Sequence, residues 1–280
     1  MTDIFLPSDL DELWRLLNIK PEAALYAGGT DLLVKRRSGL IDPPSLVCLE
    51  RIQELKGVKE CGDEVFVGAL TTHSELLSHR VIRKHFPVLI QAIAVLGSPP
   101  VRNMGTIGGN IVTASPAGDT LAPLYVLDAQ MEIRSLSSSR RVPISAFILG
   151  PGQIDLGQGE ILAGVWIKRH QGFRLQHYEK VGRRNALACS VVSMAAIMRV
   201  SSDNRIYEIR LAWGSVGPTV MRFPEVERLL EGKPLTVDGL NDVIELVHAG
   251  IKPIDDIRAT ASYRREVAGR LLHRLINYST

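Results

Sequence analysis

Residues 97–120 read GSPPVRNMGTIGGNIVTASPAGDT, and the interpretation of this stretch decides what kind of chain it belongs to. It passes through Pro99-Pro100, then Gly105-Thr106-Ile107-Gly108-Gly109-Asn110, then a run of small residues closed by Asp119. Paired glycines reach backbone angles that other residues resist, and they let a ligand approach the main chain closely. Successive N–H groups in such a turn can converge on one point and form an anion-binding concavity. Thr106, Asn110, Thr113 and Ser115 add side-chain hydrogen-bonding groups, and Asp119 adds a carboxylate. The stretch reads either as a cradle for a phosphate-bearing ligand or as a long surface loop with two turns.

A shorter glycine segment upstream favours the cradle. Tyr26-Ala27-Gly28-Gly29-Thr30-Asp31-Leu32-Leu33 follows Ala23-Ala24-Leu25, a predicted strand, and precedes a predicted helix. A strand–Gly-Gly–helix transition presents free N–H groups and the positive helix end at one spot, suited to a diphosphate. The third glycine of the GxGxxG dinucleotide fingerprint is missing, so the segment is not that motif.

The pairing of AGGTDLLV at 27–34 with TIGGNIVTASPAGD at 106–119 resembles the FAD-binding medium subunit of the molybdenum hydroxylases. That family includes the flavin domain of xanthine dehydrogenase and the medium subunit of carbon monoxide dehydrogenase. Gly159-Glu160-Ile161-Leu162 and Tyr178-Glu179-Lys180-Val181-Gly182-Arg183-Arg184 extend the similarity over nearly the whole chain. The resemblance implies an α+β protein: a PCMH-type FAD-binding fold of two α/β subdomains, then a small C-terminal α+β domain. The expected boundaries are 1–55, 56–171 and 172–280, the last with a three-stranded antiparallel sheet plus helices.

What the family does with these positions implies FAD contacts at Ala27, Gly28, Gly29, Thr30, Asp31 and Leu32. On the second motif it implies Thr106, Gly108, Gly109, Asn110, Val112, Thr113, Ser115 and Asp119. The family's backbone segment near the flavin ring matches Ile161-Leu162, and its flavin-proximal lysine matches Lys180. A cation at that edge favours electron acceptance; the other reading of Lys180, Arg183 and Arg184 is a solvated basic patch. Leu96 falls where relatives line the adenine pocket, with an ordinary buried leucine as its alternative. Oxidases of the same fold tether FAD through a histidine in the first glycine segment. None stands in 27–34, so a non-covalent, dissociable FAD is expected.

Composition sets the frame. A chain of 280 residues has room for two or three compact units with ample core. Its 45% hydrophobic and 22% charged content is that of a globular protein, and a formal charge of +3 argues for neither nucleic acid nor a membrane surface as partner. No apolar run approaches the roughly 20 residues of a membrane span. The start, MTDIFLPSDLDELW, has no signal-peptide core, so a cytosolic location is expected. Cys48, Cys61 and Cys189 form no CxxC pair and read as buried free thiols. Some relatives carry an extra iron–sulfur cluster in an inserted loop; no such insertion is visible, and no metal site is expected. His73, His79 and His85, six residues apart, do not share a helical face.

Residues 4–50 predict β-α-β-α-β, with Ser8 as the N-cap of a helix carrying Leu10, Leu13, Trp14 and Leu17. A hairpin turned at Gly62-Asp63 is expected over 56–70, helices at 72–79 and 86–95 with Gly97 as C-cap, and strands at 131–136 and 161–167. A helix over 120–127 takes Asp119 as its N-cap, a role that competes with ligand binding or coexists with it. Beyond 172, strands at 173–181, 190–200 and 206–213 form a meander, followed by helices at 223–231, 236–249 and 260–277.

No nucleophile–base pair, metal triad or carboxylate dyad stands out, so no catalytic residue is assigned and a cofactor must carry any redox chemistry. The resemblance implies a flavoprotein subunit of a molybdenum hydroxylase. Electrons would leave a large molybdopterin-binding subunit, cross a small [2Fe-2S] subunit, and reach FAD on this chain. NAD or another acceptor would then take them. A free-standing FAD oxidoreductase of the same fold is the alternative among enzymes. Outside enzymes, a nucleotide-binding assembly component without turnover remains open.

Overall fold

The computed structural model of the chain describes residues 2–169, 172–184 and 187–278. From the N-terminus come β1 (Asp3–Phe5), α1 (Leu10–Ile19), β2 (Ala24–Tyr26), α2 (Leu32–Arg37) and β3 (Ser45–Cys48). The hairpin β4 (Val58–Cys61) and β5 (Glu64–Gly68) leads to α3 (His73–Ser78), α4 (Arg80–His85) and α5 (Pro87–Ala94). Then follow α6 (Pro99–Met104), α7 (Ile107–Val112), α8 (Leu121–Val126), β6 (Gln130–Arg134) and β7 (Ser139–Pro143). After α9 (Ile144–Phe147), β8 (Ile148–Gly150) and β9 (Gln153–Ile154) comes the long β10 (Ile161–Lys168). The last part holds β11 (Leu175–Val181), β12 (Val192–Val200), β13 (Ile206–Gly214), α10 (Pro224–Leu230), α11 (Val237–Asn241), α12 (Ile244–Gly250) and α13 (Ala261–His273).

Two units interleave along the chain. The first comprises Met1–Ser78, Ser98–Ala114 and Ala129–Arg169; the second comprises His79–Gly97, Ser115–Asp128 and His170–Thr280. Among the described residues no helix is long and apolar enough to cross a membrane.

The first unit is built on two sheets. Its parallel sheet has the order β1-β3-β2, and β3 is buried along its whole length because it is the central strand. α1 buries Leu13 and Trp14. It is capped by Asp9, whose Oδ1 accepts from Glu12 N at 2.8 Å, while Glu12 Oε2 accepts from Ser8 N at 2.8 Å. This reciprocal arrangement moves the cap one residue beyond the expected Ser8. The second sheet is antiparallel, in the order β4-β5-β10-β6-β7. Phe66 and Trp166 pack tilted against each other across β5 and β10 with ring centroids 5.0 Å apart, and a side chain at Gly164 would overlap the Phe66 ring. Leu13, Val47, Ile52, Leu55, Leu70, Ile161 and Ala163 join both sheets in one apolar cluster. β7 was not expected from the sequence: its SRRVP is exposed and charged, and Arg140 pairs with Asp155 at 2.7 Å and Glu160 at 2.8 Å.

In the second unit the expected meander is present as the antiparallel sheet β11-β12-β13. α5 and α8 contact it, as do α10 and α13. β12 is buried from Val192 to Met198, so it reads as a continuous apolar run rather than an alternation. β11 is an edge strand, and Gln91 of α5 serves that edge: its Oε1 accepts from Tyr178 N at 2.7 Å and its Nε2 donates to Gln176 O at 3.0 Å. Trp213, fully buried, donates Nε1–H to Ala268 O at 3.1 Å. Arg264, equally buried, donates from its two terminal nitrogens to Val191 O, Ser215 O and Asp256, whose carboxylate offsets a charge that would otherwise be costly inside a core. The helix expected over 236–249 is two helices, α11 and α12, separated at Asp242-Val243. Of the cysteines only Cys48 is buried; Cys61 and Cys189 are exposed, which corrects the expectation of buried thiols.

Candidate cofactor-binding site

The first glycine segment leaves β2 and enters α2 through a tight bend. Gly29 has φ +68°, the left-handed region that disfavours a side chain. Gly28 is constrained differently: a Cβ there would stand 1.6 Å from Met104 O, so the main chain at 28 lies directly against the end of α6. Among the described residues, the backbone N–H groups of Gly28, Gly29, Thr30 and Asp31 meet no acceptor. These four consecutive amides stand at a strand–helix junction, a position where free N–H groups and the helix end can serve an anionic group. Asp31 holds the bend to its surroundings, pairing with Lys35 at 2.7 Å and accepting from Thr113 Oγ1 at 3.3 Å.

The second glycine stretch is not the loop expected from its composition. It contains two short helices, α6 and α7, and Gly108-Gly109 lie inside the second. Thr106 is the N-cap of α7, its Oγ1 accepting from Gly109 N at 3.1 Å. Residues 69–73 run beside it as a rail: Gly108 N donates to Ala69 O, Ile107 N to Thr71 O, and His73 N to Gly105 O. Gly108 is glycine because a Cβ would meet Ala69 Cβ at 2.6 Å, whereas at Gly109 the nearest atom is Thr106 Oγ1 at 3.0 Å. Neither has positive φ, so left-handed strain plays no part at this pair. Gly97, expected as the C-cap of α5, has φ +48° but lies beyond the actual cap, Val95.

His73 sits where the two segments meet. Its ring edge lies 3.2 Å from the position of a Cβ on Gly105, and Thr30 Oγ1 lies 3.4 Å from the same point. The side chain is buried, and its Nδ1 has no hydrogen-bond partner. Burial, reinforced by the Arg102 guanidinium, lowers its pKa to about 4, so the imidazole is neutral at physiological pH.

The expected site residues divide between the units. Ala27 to Leu32, Thr106 to Thr113, Ile161 and Leu162 belong to the first; Leu96, Ser115, Asp119 and Lys180 belong to the second. Ile161 and Leu162 are buried on β10, and Ala27 packs against the cluster that contains Ile161. Asn110 and Val112 lie half-buried on α7. Leu96 is buried, and Ser115 closes a turn by accepting from Gly118 N through its carbonyl.

Asp119 is not the N-cap of α8; Thr120 holds that position, without a side-chain cap bond. The Asp119 carboxylate turns instead to β11. Its Oδ1 accepts from Tyr178 OH at 3.0 Å and its Oδ2 accepts from Lys180 Nζ at 2.7 Å, and Nζ also donates to Val95 O at 3.3 Å. Both ends of the ion pair are 9% exposed, so Lys180 is no member of a solvated patch. Burial raises the Asp119 pKa against the downward pull of Lys180 and Tyr178. Lys180 also lines a cavity of about 400 Å³ with Val95, Val181, Gly182, Arg184 and Leu187. Residues 185 and 186 lie outside the described part of the chain.

Sequence reasoning gave no site role to Met104 and Gly105, inside the quoted stretch, or to His73, because their part is backbone contact and filling of space. Tyr178 stood inside the quoted YEKVGRR run, and its spacing of two from Lys180 on a strand was the available signal.

The family model described as the FAD binding domain in molybdopterin dehydrogenase matches residues 1–167. The chain belongs to this family. A second model, the CO dehydrogenase flavoprotein C-terminal domain, matches residues 176–279, so the flavoprotein family accounts for both ends of the chain. The glyceraldehyde dehydrogenase medium chain of Sulfolobus acidocaldarius is 32% identical, over 92% of this chain and 91% of that one. The xanthine dehydrogenase FAD-binding subunit of Escherichia coli O157:H7 is 31% identical, over 94% and 90%. Among solved structures, carbon monoxide dehydrogenase from Hydrogenophaga pseudoflava superposes with a TM-score of 0.93 at 29% identity, over 99% of this chain and 96% of that one.

Proposed function

We propose that the chain is the FAD-carrying, electron-transfer subunit of a molybdenum hydroxylase, and that it works in the cytosol. The observation that carries this is the first glycine bend: four backbone N–H groups without an acceptor among the described residues, beside a main-chain contact that only glycine permits. The residues fit the group. A diphosphate needs free donors and close approach rather than counter-charges; Gly28 to Asp31 offer amides with no acceptor among the described residues, and Gly28 admits close main-chain approach. We assign Ala27 to Leu32, Thr106, Gly108 to Asn110, Val112, Thr113, Ser115, Asp119, Ile161, Leu162 and Leu96 to FAD binding, with Lys180 as the cation serving the flavin ring. FAD supplies the electron-accepting chemistry; the chain supplies binding, orientation and charge.

Membership of the family supports a large and a small partner subunit; we assign them as molybdopterin-binding and [2Fe-2S]-carrying, with NAD or another acceptor at the exit. The first test is colour. Purified chain is expected to carry or take up FAD, and acid precipitation is expected to release all flavin to the supernatant, since 27–34 holds no tethering histidine. A colourless protein that does not take up added FAD overturns the reading. Yellow colour retained in the washed pellet overturns its non-covalent part. Co-purification of a large and a small subunit supports the complex; a yellow chain that purifies alone and turns over by itself favours a free-standing oxidoreductase.

A further inference from the structure

The carboxylate that Lys180 pairs with has a second partner on the same strand. On β11, Gln176, Tyr178 and Lys180 project to one face and His177, Glu179 and Val181 to the other, as a period of two requires. On the second face His177 and Glu179 form their own chain with Arg274. On the first, Tyr178 and Lys180 converge on the same carboxylate, one on each oxygen.

A lone Lys–Asp pair is poorly directed. Lysine has four rotatable bonds, and the final torsion of aspartate is broad and twofold, so the carboxylate can swing and carry the ammonium with it. Tyr178 removes that freedom. Its ring is buried, it moves through two torsions only, and Gln91 of α5 holds its backbone N–H at 2.7 Å. Ser193 on β12 is the other polar group facing its hydroxyl. With Oδ1 fixed by the phenol, Oδ2 has one direction left, and Val95 O supplies the ammonium with a second acceptor at 3.3 Å.

We propose that Tyr178 is a positioning residue for Lys180, acting through Asp119 to fix the ammonium at the wall of the cavity lined by Val95, Gly182 and Leu187. The consequence for the flavin rests on the assignment of Lys180 to the flavin ring made above. A swinging ammonium spends time in solvent, where its field is screened; a fixed one acts at constant distance.

The test is Tyr178→Phe in the full chain, which keeps the ring and deletes the hydroxyl. Two readouts separate the links. The first, on protein stripped of FAD, is trace acetylation of Lys180 by acetic anhydride, located by peptide mass spectrometry, with the Asp119 carboxyl followed by carbon NMR. Lys180 is expected to label severalfold faster, and Asp119 to titrate at higher pH once it loses a donor. The second, on FAD-loaded protein, is the flavin midpoint potential, expected to shift. Unchanged labelling and unchanged Asp119 titration overturn the positioning role. Changed labelling with an unchanged potential supports the positioning and overturns the flavin assignment of Lys180 alone. Should Tyr178→Phe not fold, Asp119→Asn asks the same question, and Lys180 labelling at the wild-type rate there overturns the proposal.

Discussion

Gly28→Ala is the sharpest test of the cradle. The added methyl would overlap the Met104 carbonyl, with its Cβ 1.6 Å from that oxygen. To restore ordinary contact, the bend at 28 and the end of α6 must part by about 2 Å, more than a close-packed interior absorbs through rotamer changes. The φ of Gly28 is not positive, so the effect is not backbone strain at 28; it is separation of two segments that must touch. Overpacking of this kind costs about 1–3 kcal/mol of stability. Displacing the amides of 28–31 also weakens FAD binding: loss of two charge-assisted contacts at about 1.5–3 kcal/mol each corresponds to about a hundredfold or more. The assay is FAD affinity by flavin fluorescence on stripped protein, with urea unfolding and far-UV circular dichroism on the same samples. A folded variant that binds FAD as tightly as wild type would refute the close-approach argument.

Three further outcomes are expected. Gly108→Ala loses about 1–3 kcal/mol in urea unfolding because the new methyl meets Ala69, whereas Gly109→Ala keeps wild-type stability; equal effects at both would contradict the packing around α7. Lys180→Met lowers the flavin midpoint potential, where ~30 mV corresponds to ~1.4 kcal/mol for a two-electron couple, and costs about 3–5 kcal/mol of stability by leaving Asp119 buried without its cation. Neither change in a folded variant would refute both the flavin assignment of Lys180 and the energetic weight of its pair with Asp119. His73 contributes a pH dependence: its folded pKa of about 4 lies below the ordinary 6.5, so the unfolded chain binds the proton first. The contribution is fully present above pH 6.5, falls by about 3 kcal/mol as pH drops to 4, and levels off below. A His73→Gln variant should lose that slope in urea titrations, and a slope identical to wild type would assign it to other groups.

Local signals in the sequence carried the fold class a long way. The three strand segments of 173–213, the Gly62-Asp63 hairpin and the helical spacing of α1 are short-range patterns, and each is in place because neighbours along the chain go far to specify it. The glycine pairs were legible as special positions from composition alone. What the sequence could not express is why each glycine is there. Gly29 answers to its own φ, Gly28 to Met104 some 76 residues away, and Gly108 to Ala69, and only the folded backbone brings those partners within reach. The same holds for Asp119. Its position before a predicted helix suggested a cap, a local role. The carboxylate turned instead to Tyr178 and Lys180, because a buried charge takes the partner that offsets its desolvation, and that partner is 61 residues distant in sequence.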